Sequence, residues 1–199
     1  MSDEGISPVA NVVFGCAHDN DGYNGQPSGI LGLGPSNISL ATQLGSKFSY
    51  CIGSIKDPKY PHNQLILGDG AKIEGLSTPL EVYNDLYYLT LGGISLSERR
   101  LEIDPEIFKR TPSGTGGTVF DSGTTLSFLA KDGDELGLDI ESLFQEYGQN
   151  EFCMALQDSP VGNDLNVVGI MAQQFYNVAY DLAANKVYFQ RIDCELLDD

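Results

Sequence analysis

The string TVFDSGTTLSFL, residues 118–129, gathers the side chains best suited to chemistry. Apolar residues lead into Asp121, then Ser122, Gly123, Thr124 and Thr125 follow before an apolar segment resumes. This order sets one carboxylate at a sharp turn between two buried segments. Gly123 lets the backbone fold under it. Backbone N–H groups and Ser/Thr hydroxyls then supply donors that favour the ionised form. A bare Asp-Ser-Gly has two readings: an Asx turn joining two strands, or a carboxylate held ready for acid–base work. Two apolar residues before it and Thr-Thr after it, in a turn-rich acidic chain, favour the second.

Other chemistries find little support. The four cysteines, Cys16, Cys51, Cys153 and Cys194, form no CxxC or CxxH arrangement, and His18 and His62 are unclustered. No metal site and no cofactor are expected. GILGLG, residues 29–34, runs G-x-x-G-x-G, which is not the dinucleotide order, and no strand–helix–strand unit surrounds it. It reads as a buried strand whose glycines admit another backbone.

The 199 residues carry 28 acidic side chains against 11 basic ones, a net charge of −17. Such a chain repels phosphate backbones and anionic membrane surfaces, so neither nucleic acid nor membrane is an expected partner. No apolar stretch of about 18 residues is present to span a bilayer. The first residues, MSDEGISPVANVV, have neither a basic nor an apolar leader region. The scattered cysteines nevertheless look like a disulfide set, and Asn37-Ile38-Ser39 is a glycosylation sequon. Both features have meaning only in an oxidising, secreted setting.

The elements that must position Asp121 are strands. The chain holds 23 Gly and 9 Pro, and its aromatics are ten Tyr and nine Phe with no Trp, a composition that suits sheets and turns. Strands are expected at 9–16, 48–53, 64–69, 87–96, 100–103, 117–121, 166–170, 176–182 and 186–193. A short helix is expected at 37–44 with Asn37 as the candidate cap, and 141–147 reads as a short helix or a strand edge. Strands without long helices between them predict a mostly antiparallel all-β fold. One internal echo stands out: Ile30-Leu31-Gly32 and Val167-Val168-Gly169 are both apolar-apolar-Gly after a turn-rich stretch.

FDSGTT resembles the second catalytic motif of the pepsin-like aspartic proteases. VVFGC (12–16), SGILGLG (28–34), SLATQL (39–44), FSYC (48–51), YYLTLGGISL (87–96) and VVGIMAQQFYNVAYDLAANKVYFQRIDC (167–194) resemble the plant nepenthesin-like branch, in its order. The resemblance implies a two-lobed β fold, each lobe giving one Asp on a loop threaded by an apolar-apolar-Gly strand. Asp121 is then the Asp of the C-terminal lobe. Ser122 locks the base of the loops, Thr124 bonds the carboxylate and Thr125 faces substrate. Val167, Val168 and Gly169 support Asp121, while Ile30, Leu31 and Gly32 support the other Asp. It also implies a Cys51–Cys194 disulfide, with partners for Cys16 and Cys153 in stretches this sequence lacks.

The departures from the family pattern set the functional expectation. The first Asp motif, the flap, the signal and the pro-segment are expected to be missing. Residues 1–58 are read as a remnant of the N-terminal lobe, and 59–199 as the C-terminal lobe with an internal deletion near 131–133. Asp132, Asp134 and Asp139 read as solvated charges. Aspartic proteolysis needs two carboxylates sharing a proton, so the expected protein is an aspartic endopeptidase by family, acting on polypeptide substrate if active but impaired by its single motif. The alternative is a non-catalytic binding protein like the glycosidase inhibitors of the same superfamily, with a glycosidase as partner. A pairing of two chains that brings two Asp121 residues together is a third reading.

Overall fold

The computed structural model describes residues 9, 11–16, 18, 29–96, 99–100, 102–130, 144–146, 152–159 and 164–198. Among them, one short helix, α1 (Leu40–Gln43), precedes strands β1 (Lys47–Cys51), β2 (Gln64–Leu67), β3 (Leu76–Tyr83) and β4 (Leu86–Leu89). A small ribbon, β5 (Ser95–Leu96) and β6 (Arg99–Arg100), leads to β7 (Thr118–Phe120) and β8 (Ser127–Leu129). Then come β9 (Phe144–Glu146), β10 (Phe152–Met154), β11 (Leu156–Asp158), β12 (Asn166–Val168), β13 (Tyr176–Asp181) and β14 (Lys186–Arg191). Ten of these strands share one sheet in the order β11-β8-β12-β7-β4-β3-β14-β13-β1-β2. The fold is all-β, with its few helical turns mostly 3₁₀ in form.

The central strand β3 turns the sheet. Its residues 76–79 pair with β14, and 80–83 pair with β4. Pro79, which has no N–H to give, sits where the pairing changes hands. This proline is why the strand is not evident in the sequence. Asn84 and Asp85 both take positive φ, 47° and 60°, and join β3 to β4 in a two-residue turn, the geometry that matches strand twist.

The core lies on β1, β4, β13 and β14. Phe48, Tyr87, Val178, Tyr180 and Val187 are buried together, and the Phe48 and Tyr180 rings stack with centroids 4.4 Å apart. A second cluster closes on the Cys51–Cys194 disulfide, whose two residues are fully buried and 143 positions apart in sequence.

Several sequence expectations change. Residues 12–16 carry no strand and expose Val13 and Phe14. Likewise Ile30-Leu31-Gly32 is irregular chain, with Ile30 82% exposed and no atom within 4 Å of a Cβ placed on Gly32. An apolar run becomes a buried strand only where another strand pairs with it, and no described strand pairs with either segment. The helix begins after Ser39 rather than Asn37, and Asn37 is exposed. Of the two readings of 141–147, helix or strand edge, the strand is the one found, as β9. Asp132, Asp134 and Asp139, and the junction at 131–133, lie outside the described residues.

Candidate active site

Asp121 follows β7 directly. Two pairings fix that position. β12 runs parallel to β7, with Val167 opposite Val119 and Val168 opposite Phe120, and antiparallel to β8, with Val167 opposite Phe128. The apolar-apolar-Gly strand is therefore threaded between the two arms of the Asp121 loop. The Asp121 N–H donates to the Val168 carbonyl at 3.2 Å, continuing the β7–β12 ladder into the turn.

Gly169 lets the loop close. A Cβ there would meet the Leu126 carbonyl oxygen at 2.2 Å and the Thr124 carbonyl oxygen at 2.8 Å. Without one, the Gly169 N–H reaches Ser127 Oγ at 3.1 Å. The following two N–H groups, of Ile170 and Met171, donate to the carbonyls of Thr124 and Thr125 at 2.7 and 3.2 Å. The loop's orphan acceptors are satisfied by the chain that threads it.

The carboxylate itself is half-buried. Its Oδ1 accepts the Gly123 N–H at 2.8 Å, and its Oδ2 accepts the Thr124 hydroxyl at 2.6 Å. Both described bonds come from its own turn. Ser122, Gly123 and Thr125 are exposed around it. Donors to both oxygens hold the group in one orientation while leaving lone pairs for a water or a substrate.

Behind the loop lies a polar brace that no local motif announces. Gln173 is 1% exposed; its Nε2 donates to the Val168 carbonyl at 2.7 Å, the same oxygen that accepts the Asp121 N–H. The Tyr50 hydroxyl donates to Gln173 Oε1, with the Ser122 and Tyr180 hydroxyls close to the Tyr50 oxygen. Burial pushes the Tyr50 and Tyr180 phenols well above the usual 10, and the neighbouring Asp121 charge adds to the rise in both. Asn166, also 1% exposed, ties the start of β12 in place. Its Oδ1 accepts the Ala130 N–H at 2.9 Å, and its Nδ2 donates to the Ile107 and Gly117 carbonyls at 3.2 and 3.1 Å.

The structure thus brings Asp121, Ser122, Gly123, Thr124 and Thr125 together with Val167, Val168 and Gly169. It leaves Ile30, Leu31 and Gly32 exposed and unpaired with any described strand. Cys16 is an exposed free thiol. Among the described residues no group of three or more His, Cys, Asp or Glu side chains is placed to hold a metal ion, and no helix is long and apolar enough to cross a membrane.

The chain is similar to known proteins. Residues 1–69 match the family described as Xylanase inhibitor N-terminal, and residues 86–133 match Xylanase inhibitor C-terminal. The chain is 31% identical to Aspartyl protease UND of Arabidopsis thaliana, an alignment covering 98% of this chain and 59% of the relative. It is 28% identical to aspartic proteinase nepenthesin-1 of Nepenthes gracilis, covering 96% of this chain and 56% of that protein. The chain spans less than two thirds of the length of these relatives. In three dimensions it is similar to conglutin gamma, a basic 7S globulin from lupine seeds, with a TM-score of 0.61 at 16% identity, over 88% of this chain and 61% of that one. Taken with the threaded Asp-Ser-Gly-Thr-Thr loop, these likenesses show that the chain belongs to the pepsin-like aspartic protease family, in its plant nepenthesin-like branch.

Proposed function

We propose that Asp121 is the catalytic carboxylate of a C-terminal lobe formed by residues 59–199, with residues 1–58 the remnant of an N-terminal lobe. With this one catalytic carboxylate the chain has no autonomous peptidase activity. The observation that carries the reading is the carboxylate's own setting: both its oxygens are held by Gly123 and Thr124 of the same turn. Among the described residues neither is held by a second acid, and the sequence has no second Asp-Thr-Gly or Asp-Ser-Gly.

Aspartic proteolysis divides its work between two carboxylates. Their proximity drives their pKa values apart, so that one takes a proton from the attacking water while the other protonates the carbonyl oxygen. Asp121 can orient and activate a water on a polypeptide substrate. Nothing described beside it supplies the complementary proton. Ser122 and Thr125 frame the group, and Val167-Val168-Gly169 support it from below. The buried Cys51–Cys194 bridge supports an oxidising, secreted or vacuolar setting. The test is cleavage of a denatured protein at about pH 3–5, with and without a pepstatin-type transition-state analogue; the reading requires none above background.

A second reading, a non-catalytic protein that binds a glycosidase, is favoured by one observation: both matched family segments are described as xylanase inhibitor halves. Saturable binding of the chain to a xylanase, with loss of the xylanase's activity, would support it.

A further inference from the structure

Next to the Asp121 loop, with Phe120 in its lining, lies an open cavity of about 330 Å³. That is many times the ~30 Å³ share of one liquid water and lies at the lower end of the range for small-molecule sites, about 300–1,000 Å³. Its walls come from β3, β4, β7, β13, β14 and the turn at 172–173, and Leu89, Leu91, Phe120, Tyr176, Val178 and Phe189 are its large apolar and aromatic residues. Among the described residues no charged side chain lines it.

Two of the polar residues that line it, Thr118 and Gln173, are already engaged. Thr118 Oγ1 donates to the Phe108 carbonyl at 3.2 Å, and both ends of the Gln173 amide are used by Val168 and Tyr50. The hydroxyl-bearing Thr78, Thr90 and Tyr176 are the other polar residues of the lining, and an ordered water needs two to four partners. Phe120 and Phe189, with centroids 4.9 Å apart and planes inclined by 53°, offer ring faces and edges for offset or edge-to-face contacts with a third ring.

We infer that this cavity is a binding site for a neutral aromatic molecule of one or two rings. A neutral occupant loses no ion hydration on entry, whereas a carboxylate or an amine would be buried without a counter-charge. The inference does not depend on the catalytic role of Asp121. Occupancy would still be felt there, because Phe120 precedes Asp121 and Gln173 shares the Val168 carbonyl with the Asp121 N–H.

The test is a titration of the ¹⁵N-labelled full chain with indole, followed by amide chemical shifts. Saturable shifts are expected at Leu89, Phe120, Val178 and Phe189, with a smaller one at Asp121. Thr90→Trp, at an exposed position on the cavity rim, and Val178→Phe, which fills the interior, should each weaken indole at least about ten-fold. Benzoate should bind at least about ten-fold more weakly than indole. If Val178→Phe fails to fold, Thr90→Trp decides. The proposal is overturned if indole shifts these amides only linearly up to its solubility limit. It is equally overturned if folded Thr90→Trp binds indole as the native chain does, or if benzoate binds equally well.

Discussion

Thr124 Oγ1 lies 2.6 Å from Oδ2 of Asp121, three residues back along the same turn. This charge-assisted bond and the Gly123 N–H hold the carboxylate in place. Thr124→Val removes the donor and leaves a half-buried oxygen short of one partner. A loss of about 1–2 kcal/mol is expected, read from urea unfolding at neutral pH, with Thr124→Ser retaining most of the stability. Equal stability of the Val and Ser variants would show that the bond contributes nothing to the turn.

Gly169 has a steric obligation. The atom facing its missing Cβ is the backbone oxygen of Leu126 at 2.2 Å, and backbone cannot swing aside as a side-chain tip does. Gly169→Ala should therefore displace the threaded strand and cost more than about 3 kcal/mol, beyond the usual range for a single substitution. The loss of cooperative unfolding, or of soluble protein, measures it. Gly32→Ala, with nothing within 4 Å, should change stability by less than about 0.5 kcal/mol.

This contrast marks how far the sequence is legible. Val167-Val168-Gly169 and Ile30-Leu31-Gly32 have the same local pattern, from which both are expected to support an aspartate loop. Only the first is paired on both sides. Burial is decided by what packs against a segment, which a local pattern does not contain. The DSGTT turn was readable because its chemistry is contiguous. The brace behind it was not, since Tyr50 and Gln173 are 123 positions apart and nothing in FSYC or in the 167–194 string marks the two as partners. Strand β3 escaped because Pro79 argues against a central strand until the change of partner at that residue is seen.

The Cys51–Cys194 bridge closes a long loop, 143 positions apart. On the chain-entropy estimate such a link is worth about 5 kcal/mol at most. Cys51→Ser/Cys194→Ser, or reduction in denaturant, should shift the urea midpoint sharply downward. An unchanged midpoint would mean that the β1 and C-terminal contacts hold without the bridge.

Stability should fall on the alkaline side. Burial raises the Tyr50, Tyr87 and Tyr180 phenols above the usual 10, so above pH ~10 the unfolded chain releases protons that the folded one retains. Their contribution is complete below pH ~10 and is lost as pH rises toward the folded values. The slope is about 1.4 kcal/mol per pH unit for each retained proton. Tyr50→Phe should reduce that slope by about one proton, and by leaving Gln173 Oε1 unpaired should cost about 1–3 kcal/mol at neutral pH. Urea unfolding between about pH 9 and 11 measures both effects.

The most direct measurement compares the purified chain with Asp121→Asn in cleavage of a denatured protein at about pH 3–5, over a range of chain concentrations. Identical background rates are expected for the two, unaffected by a pepstatin-type analogue. Cleavage by the native chain that the analogue blocks and Asp121→Asn abolishes would contradict this. A rate rising with the square of chain concentration would locate the second carboxylate on another copy.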